Sequence, residues 1–187
     1  AQLVDRLGYT RYWLAEHHNT QTLASPTPEI LIPALAATTT GIRVGSGGVM
    51  LSHYSPLKVA ESFRMLEALH PGRIDLGLGR APGSDRRTAA ALQPGPVGPP
   101  LESYPGQVID LMHYLHGELP GDHPYHGITA MPAGPTVPET WMLASSMGSA
   151  TYAAQLGLPL SWAHFISPDG PEIVARYREA FQPSEWL

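Results

Sequence analysis

Five short apolar runs, Arg11 to Glu16, Ile42 to Leu51, Arg73 to Arg80, Trp141 to Ala144 and Leu160 to Phe165, alternate with helix-forming segments along this 187-residue chain. That alternation leaves few folds open. Strands separated by helices, with about 30 residues from strand to strand where the connection is simple, belong to βαβ units, and such units build a parallel sheet with right-handed crossovers. The two candidates are an open doubly wound sheet and part of a (β/α)8 barrel, which needs about 250 residues when complete. Ala1 to Gly8 reads as the end of an amphipathic helix closed by a glycine, and Pro183 to Leu187 follows a helix with no further strand. The expectation is an α/β fold, a (β/α)8 TIM barrel present only in part, forming one partial domain over residues 1–187 with the natural N-terminus missing.

The intervening helices carry their own signals. Pro28 opens one, with Leu31, Leu35 and Thr38 on one helical face. Ser55-Pro56 opens the next, with Val59, Phe63 and Leu66 at helical spacing and Pro71-Gly72 as its stop. Val108, Leu111, Met112 and Leu115 mark a third, Ala150 to Leu156 a fourth capped by Gly157, and Pro171 a last one carrying Ile173, Tyr177 and Phe181. Residues 94–100 and 117–138, where Gly and Pro recur, read as loop excursions, the second with room for a short hairpin. In the third strand Ile74, Leu76 and Leu78 alternate with Asp75 and Gly77, which predicts a half-buried pleat.

Composition removes several classes of function. With a net charge of −5 and no basic cluster longer than Arg86-Arg87, the chain lacks the positive face a nucleic acid would need. The absence of cysteine rules out disulfides, thiolate metal sites and thiol nucleophiles, and suits a cytoplasmic enzyme. The longest nearly apolar run, Ile30 to Ala37, falls far short of the ~20 residues that span a bilayer, so no membrane partner is expected.

Ligands of parallel α/β folds bind at the carboxyl ends of the strands. Gathered there are Glu16-His17-His18, Gly47-Gly48 with His53, Gly79-Arg80, Ser145-Ser146 with Ser149, and His164. Because side chains alternate along a strand, His17 and His18 point opposite ways and only one faces a common mouth. Gly45, Gly47 and Gly48 suggest a bulge, or a flat body lying against the backbone. Hydroxyls at a helix N-terminus together with the Arg80 guanidinium describe a phosphate site. Plainer readings stand beside each: serines as N-caps, Ser149 among them, Arg80 in a structural ion pair, the histidines as satisfied structural groups. Metal binding by Glu16-His17-His18, or by His113, His116, His123 and His126, is the weaker alternative, since no acid or thiol at ligand spacing joins the latter group, and no metal is expected.

Four blocks in order, Trp13 to His18, Val44 to Leu51, Pro71 to Arg80 and Ala153 to Pro159, resemble the bacterial luciferase-like flavin-dependent monooxygenases. The resemblance implies an FMN-using (β/α)8 barrel of which this chain would hold about strands 2 to 6. It gives His17 the role of assisting proton transfer at the reacting edge of the flavin. Gly47 and Gly48 match the small pair beneath the isoalloxazine ring, where the family has a non-prolyl cis peptide. Arg80, Ser146 and Ser149 match residues that hold the phosphate, and Ser145, also counted with the cofactor-binding set, stands where the luciferase subunit itself has an acid. Two further departures are Gly79 at that subunit's reactive cysteine and Glu102 near a phosphate-contacting arginine. The implied activity is oxidation of a small organic substrate by reduced FMN and O2, with a separate flavin reductase as partner and a homo-oligomer as the complete assembly. Two alternatives remain at this point: an F420-dependent hydride-transfer oxidoreductase, and a non-catalytic flavin-binding or subunit-like protein.

Overall fold

The structure is a computed structural model that describes residues 1–81, 84–93 and 103–186. A short helix α1 (Gln2–Arg6) leads into β1 (Arg11–Leu14), followed by α2 (Pro28–Ala37), β2 (Arg43–Met50), a 3-10 turn (Leu51–His53) and α3 (Pro56–Leu69). Then come β3 (Ile74–Gly79), α4 (Arg86–Leu92), α5 (Tyr104–His116), β4 (Glu139–Ala144), α6 (Met147–Gln155), β5 (Leu160–Trp162) and α7 (Gly170–Ala180). The five strands form one sheet in the order β1-β2-β3-β4-β5, every pair parallel. A doubly wound sheet reverses its strand order at a switch point, whereas here each strand joins beside the one before it. This is the wall of a (β/α)8 barrel, held in part.

One face of the wall packs on helices. Val44, Ile74, Leu76, Leu78 and Met142 meet Ile32 and Ala36 of α2, Phe63 of α3, and Val108, Leu111, Met112 and Leu115 of α5 in a single apolar core. Each large side chain withdrawn from water there contributes about 1.5–3 kcal/mol. The register that puts Val44 beside Ile74 also puts Gly45 beside Asp75, and therefore directs Arg11, Trp13, Arg43, Asp75, Glu139 and Trp141 to the opposite face. On that face Arg11 donates to Asp75 at 2.6 Å and to Glu139 at 2.9 Å, Arg43 donates to Asp75 at 2.7 Å, and the Trp13 indole donates to Asp75 at 2.8 Å. The Arg11 guanidinium lies 4.6 Å from the centre of the Trp141 ring. Gly45 makes room for this cluster, since a Cβ there would lie 2.3 Å from the Asp75 carbonyl oxygen.

Several expectations need correction. All six residues of β3 are buried, not every second one, because Asp75 is fully buried as the shared acceptor of two arginines and an indole. A polar residue with saturated partners hides as well as an apolar one. The buried face of α2 is Pro28, Ile32 and Ala36, while Leu31 is 40% exposed, so the inward stripe is displaced by one residue from Leu31, Leu35 and Thr38. Residues 117–138 hold no strand, so there is no hairpin; the excursion includes a cis Met131-Pro132 bond and is fastened by Arg64, which donates to the carbonyls of Pro132 and Leu115. The excursion expected at 94–100 and Glu102 lie outside the described residues. Helix α4 escaped prediction despite an Asp85 N-cap that accepts from the Arg87 and Thr88 N–H groups.

Candidate active site

Built at the carboxyl ends of the strands, the site begins where β1 ends. Past Leu14 the chain leaves the sheet, and Glu16 turns into the protein, where it is 1% exposed. Its Oε2 accepts from the Met50 N–H at 3.0 Å, and its Oε1 accepts from the Tyr54 hydroxyl at 2.7 Å and pairs with His18 Nε2 at 2.8 Å. Burial first, and then the Glu16 carboxylate, raise the Tyr54 phenol well above its ordinary range, so it stays a donor. His53 is buried edge-on to His18 and Tyr54, with ring centres 6.3 and 6.1 Å apart. His17 is only half-buried and takes no part in this network. Its backbone N–H donates to the Ser25 carbonyl at 3.2 Å, and its Nδ1 is buried without a hydrogen-bond partner. The two histidines differ, one tied to Glu16 and the other left with an unmet polar atom, although both lie beyond the strand, where its alternation no longer applies.

Gly47 and Gly48 lie at the register break of β2 and are joined by a cis peptide. A Cβ on Gly47 would lie 2.9 Å from Trp13 Cβ, and one on Gly48 would lie 2.7 Å from the Gly77 carbonyl oxygen. Neither position has space for a side chain. Gly77 opposes Ser46 with equal closeness, a Cβ there meeting the Ser46 carbonyl at 2.2 Å, and the Ser46 hydroxyl donates to the Gly77 carbonyl at 2.9 Å. The two strand ends are thus packed backbone to backbone, leaving a flat surface in place of a ridge of side chains.

Arg80 follows β3, and its Nη1 would lie 3.9 Å from a Cβ on Gly148, in the first turn of α6. Among the described residues no carboxylate comes within ion-pairing distance of Arg80, in contrast to Arg11 and Arg43. Helix α6 starts at Met147, earlier than Ala150, with Ser146 as N-cap and Ser149 in its first turn. The cap bond from the Ser149 N–H is long at 3.5 Å, and the two hydroxyls are 3.3 Å apart. Ser149 is buried and Ser145 exposed. Arg80 thus lies beside Gly148 in the turn of α6 that also holds Ser146 and Ser149, with no carboxylate partner among the described residues; Ser145 precedes the cap. His164 is exposed past β5, and the described residues include no group of three or more acids and histidines arranged to hold a metal. Tyr54 is the partner that sequence reading missed; a lone tyrosine in the turn before a helix gives no sign of the distant acid it serves.

The sequence profile of the luciferase-like monooxygenases matches residues 1–184, and the chain belongs to that family. It is 52% identical over 185 residues to YceB of Bacillus subtilis strain 168, covering 98% of this chain and 56% of that protein. It is 41% identical over 181 residues to the N-acetyl-S-alkylcysteine monooxygenase of the same organism, covering 97% and 54%. Apo-MsnO8 superposes with a TM-score of 0.89 at 48% identity, over 98% of this chain and 54% of that one. The fold alone is shared with an oxygenating constituent of 3,6-diketocamphane monooxygenase in complex with FMN, from Pseudomonas putida (TM-score 0.74, 17% identity, 97% and 56% covered), and with an F420-dependent secondary alcohol dehydrogenase (0.68, 14%, 94% and 57%). The chain spans about half the length of the relatives it matches.

Proposed function

We propose that the protein to which this chain belongs is a flavin-dependent monooxygenase that binds FMN at the carboxyl ends of β1 to β4 and oxidises a small organic substrate with O2. The observation that carries the reading is Arg80, without a carboxylate partner among the described residues, beside the first turn of α6. A guanidinium beside a helix N-terminus suits a phosphate monoester. The remaining residues fit the rest of the group: Gly47 and Gly48 supply backbone without side chains, on which a planar ring can lie, and His17 offers an imidazole with an unmet Nδ1. Ser146 and Ser149 add hydroxyls to the phosphate end, with Ser145 at its rim.

Reduced FMN, when bound, supplies the two electrons with which one oxygen atom enters the substrate and the other leaves as water. The chain's own contribution is orientation and proton handling. Arg80 and α6 fix the phosphate, the glycine pair sets the plane of the ring, and His17 gives or takes a proton at an imidazole nitrogen. The family and a relative named as a monooxygenase support this reading. The F420-dependent neighbour keeps hydride transfer as the second reading, supported only by the shared fold. A flavin reductase as electron donor and a homo-oligomeric assembly belong to the same proposal. In the full-length protein, titration with FMN and with F420 distinguishes the two cofactors, and binding of neither defeats both. His17→Ala is expected to lower kcat by about 10²–10⁴-fold with the FMN Kd nearly unchanged; normal turnover would remove His17 from the mechanism.

A further inference from the structure

We propose that Glu16 is a positioning residue: with Tyr54 and His18 it fastens the turn that carries His17 to the end of the strand that carries Gly47 and Gly48, so that the proton-transfer group and the ring floor keep a fixed separation. This rests on the flavin reading above.

The geometry is that of a clamp. Glu16 immediately precedes His17, and Met50, whose N–H donates to Glu16 Oε2 at 3.0 Å, lies two residues beyond Gly48. One carboxylate therefore connects the two segments at the points nearest their functional residues. Its other oxygen holds Tyr54 and His18, at 2.7 and 2.8 Å, which come from the turn after β2 and from the far side of His17. The buried Asp75 is neutralised by two arginines, but the carboxylate of Glu16 meets no lysine or arginine among the described residues. Removing a carboxylate from water costs several kcal/mol, and apolar side chains of similar volume would stabilise such a position at least as well. A buried acid with three directional partners, none of them a lysine or arginine, serves geometry better than it serves stability. At 1% exposure with both oxygens engaged it touches no substrate, which separates it from His17.

The test uses the full-length protein and three variants, Glu16→Ala, Glu16→Gln and Tyr54→Phe. Glutamine can keep its oxygen on the Met50 N–H while its NH2 donates to Tyr54 Oη and to the His18 nitrogen, because hydroxyl and imidazole can both accept. Glu16→Ala is expected to leave the FMN Kd within about threefold of the parent, since the phosphate contacts are remote. It is expected to change the visible circular dichroism of bound oxidised flavin, and to lower kcat about hundredfold. It is also expected to raise amide exchange in the peptide containing Met50. Glu16→Gln restores the flavin spectrum and most of kcat. A Glu16→Ala protein with parental dichroism and kcat, or one no worse than Glu16→Gln in every readout, overturns the proposal. If Glu16→Ala does not fold, Tyr54→Phe must move dichroism and kcat the same way, more weakly, and unchanged values overturn it. Absence of flavin binding by the parent protein defeats the flavin reading by itself, and faster exchange at Met50 then still tests the clamp.

Discussion

The two ends of the strands treat charge in opposite ways. At the amino ends Arg11, Arg43, Asp75 and Glu139 satisfy one another, with Trp13 as a further donor to Asp75 and Trp141 stacked under a guanidinium. At the carboxyl ends Arg80 has no carboxylate among the described residues, His17 Nδ1 has no partner, and glycines replace side chains. At one end the four charged groups close on one another and so stabilise the wall; at the other Glu16 is closed by its own partners, but Arg80 and His17 Nδ1 are left open and so can receive a ligand. In a barrel this division between a stability face and a chemical face follows from the direction of the strands.

Breaking the closed end should have the largest effect. Asp75→Ala would take a shared buried acceptor from two guanidinium groups and an indole N–H, and a loss of about 3–5 kcal/mol is expected in urea denaturation of the full-length protein. Any folded fraction should bind FMN with parental affinity, and a loss below about 1 kcal/mol would show that the network is not what holds that end. Arg80→Ala inverts the pattern: FMN should bind some 10- to 100-fold more weakly, about 1.5–3 kcal/mol, with the denaturation midpoint nearly unmoved. Ser146→Ala touches both properties, since it removes a helix cap and a hydroxyl near the phosphate site, and about 1 kcal/mol of stability is expected to go with a modest rise in FMN Kd.

The smallest effect concerns pH and links the two ends. Asp5 caps the loop before β2, accepting from the N–H groups of Thr40, Ile42 and Gly41, and these bonds, Thr40's foremost, hold its carboxyl down to about 2. At the other end Asp85 caps α4 and is likewise held down to about 2, chiefly by Thr88 and also by Asn19. A depressed folded pKa gives stability that is present above the unfolded value of ~3.9 and is lost as pH falls toward 2. Asp5→Asn and Asp85→Asn should each flatten the decline of stability between those limits. Unfolding followed as a function of pH checks this, and equal slopes in parent and variants would refute it.

Much of the fold was legible because its signals are local. Val59, Phe63 and Leu66 repeat at helical spacing, and five apolar runs in alternation imply parallel pairing. What was not legible depends on partners far along the chain. From its place in the alternation Asp75 reads as the exposed half of a pleat, and only Arg11 and Arg43, 64 and 32 positions away, saturate and bury it. In α2, apolar residues occur on more than one side, so periodicity could not choose between Leu31 and Ile32 as the buried position. The candidate site residues rest on their position at strand ends and on resemblance to a family. Tyr54 escaped because its significance lies in a hydrogen bond across 38 positions.

Arg11 carries one more consequence. Its guanidinium starts on β1, beside Arg43 of β2, and grips carboxylates on β3 and β4. A link from the first strand of an arc to the third and fourth is a chord, and a chord shorter than its arc forces the sheet to bend toward the side on which it lies. The concavity that a parallel wall needs in order to close on itself is thus written partly in a single side chain.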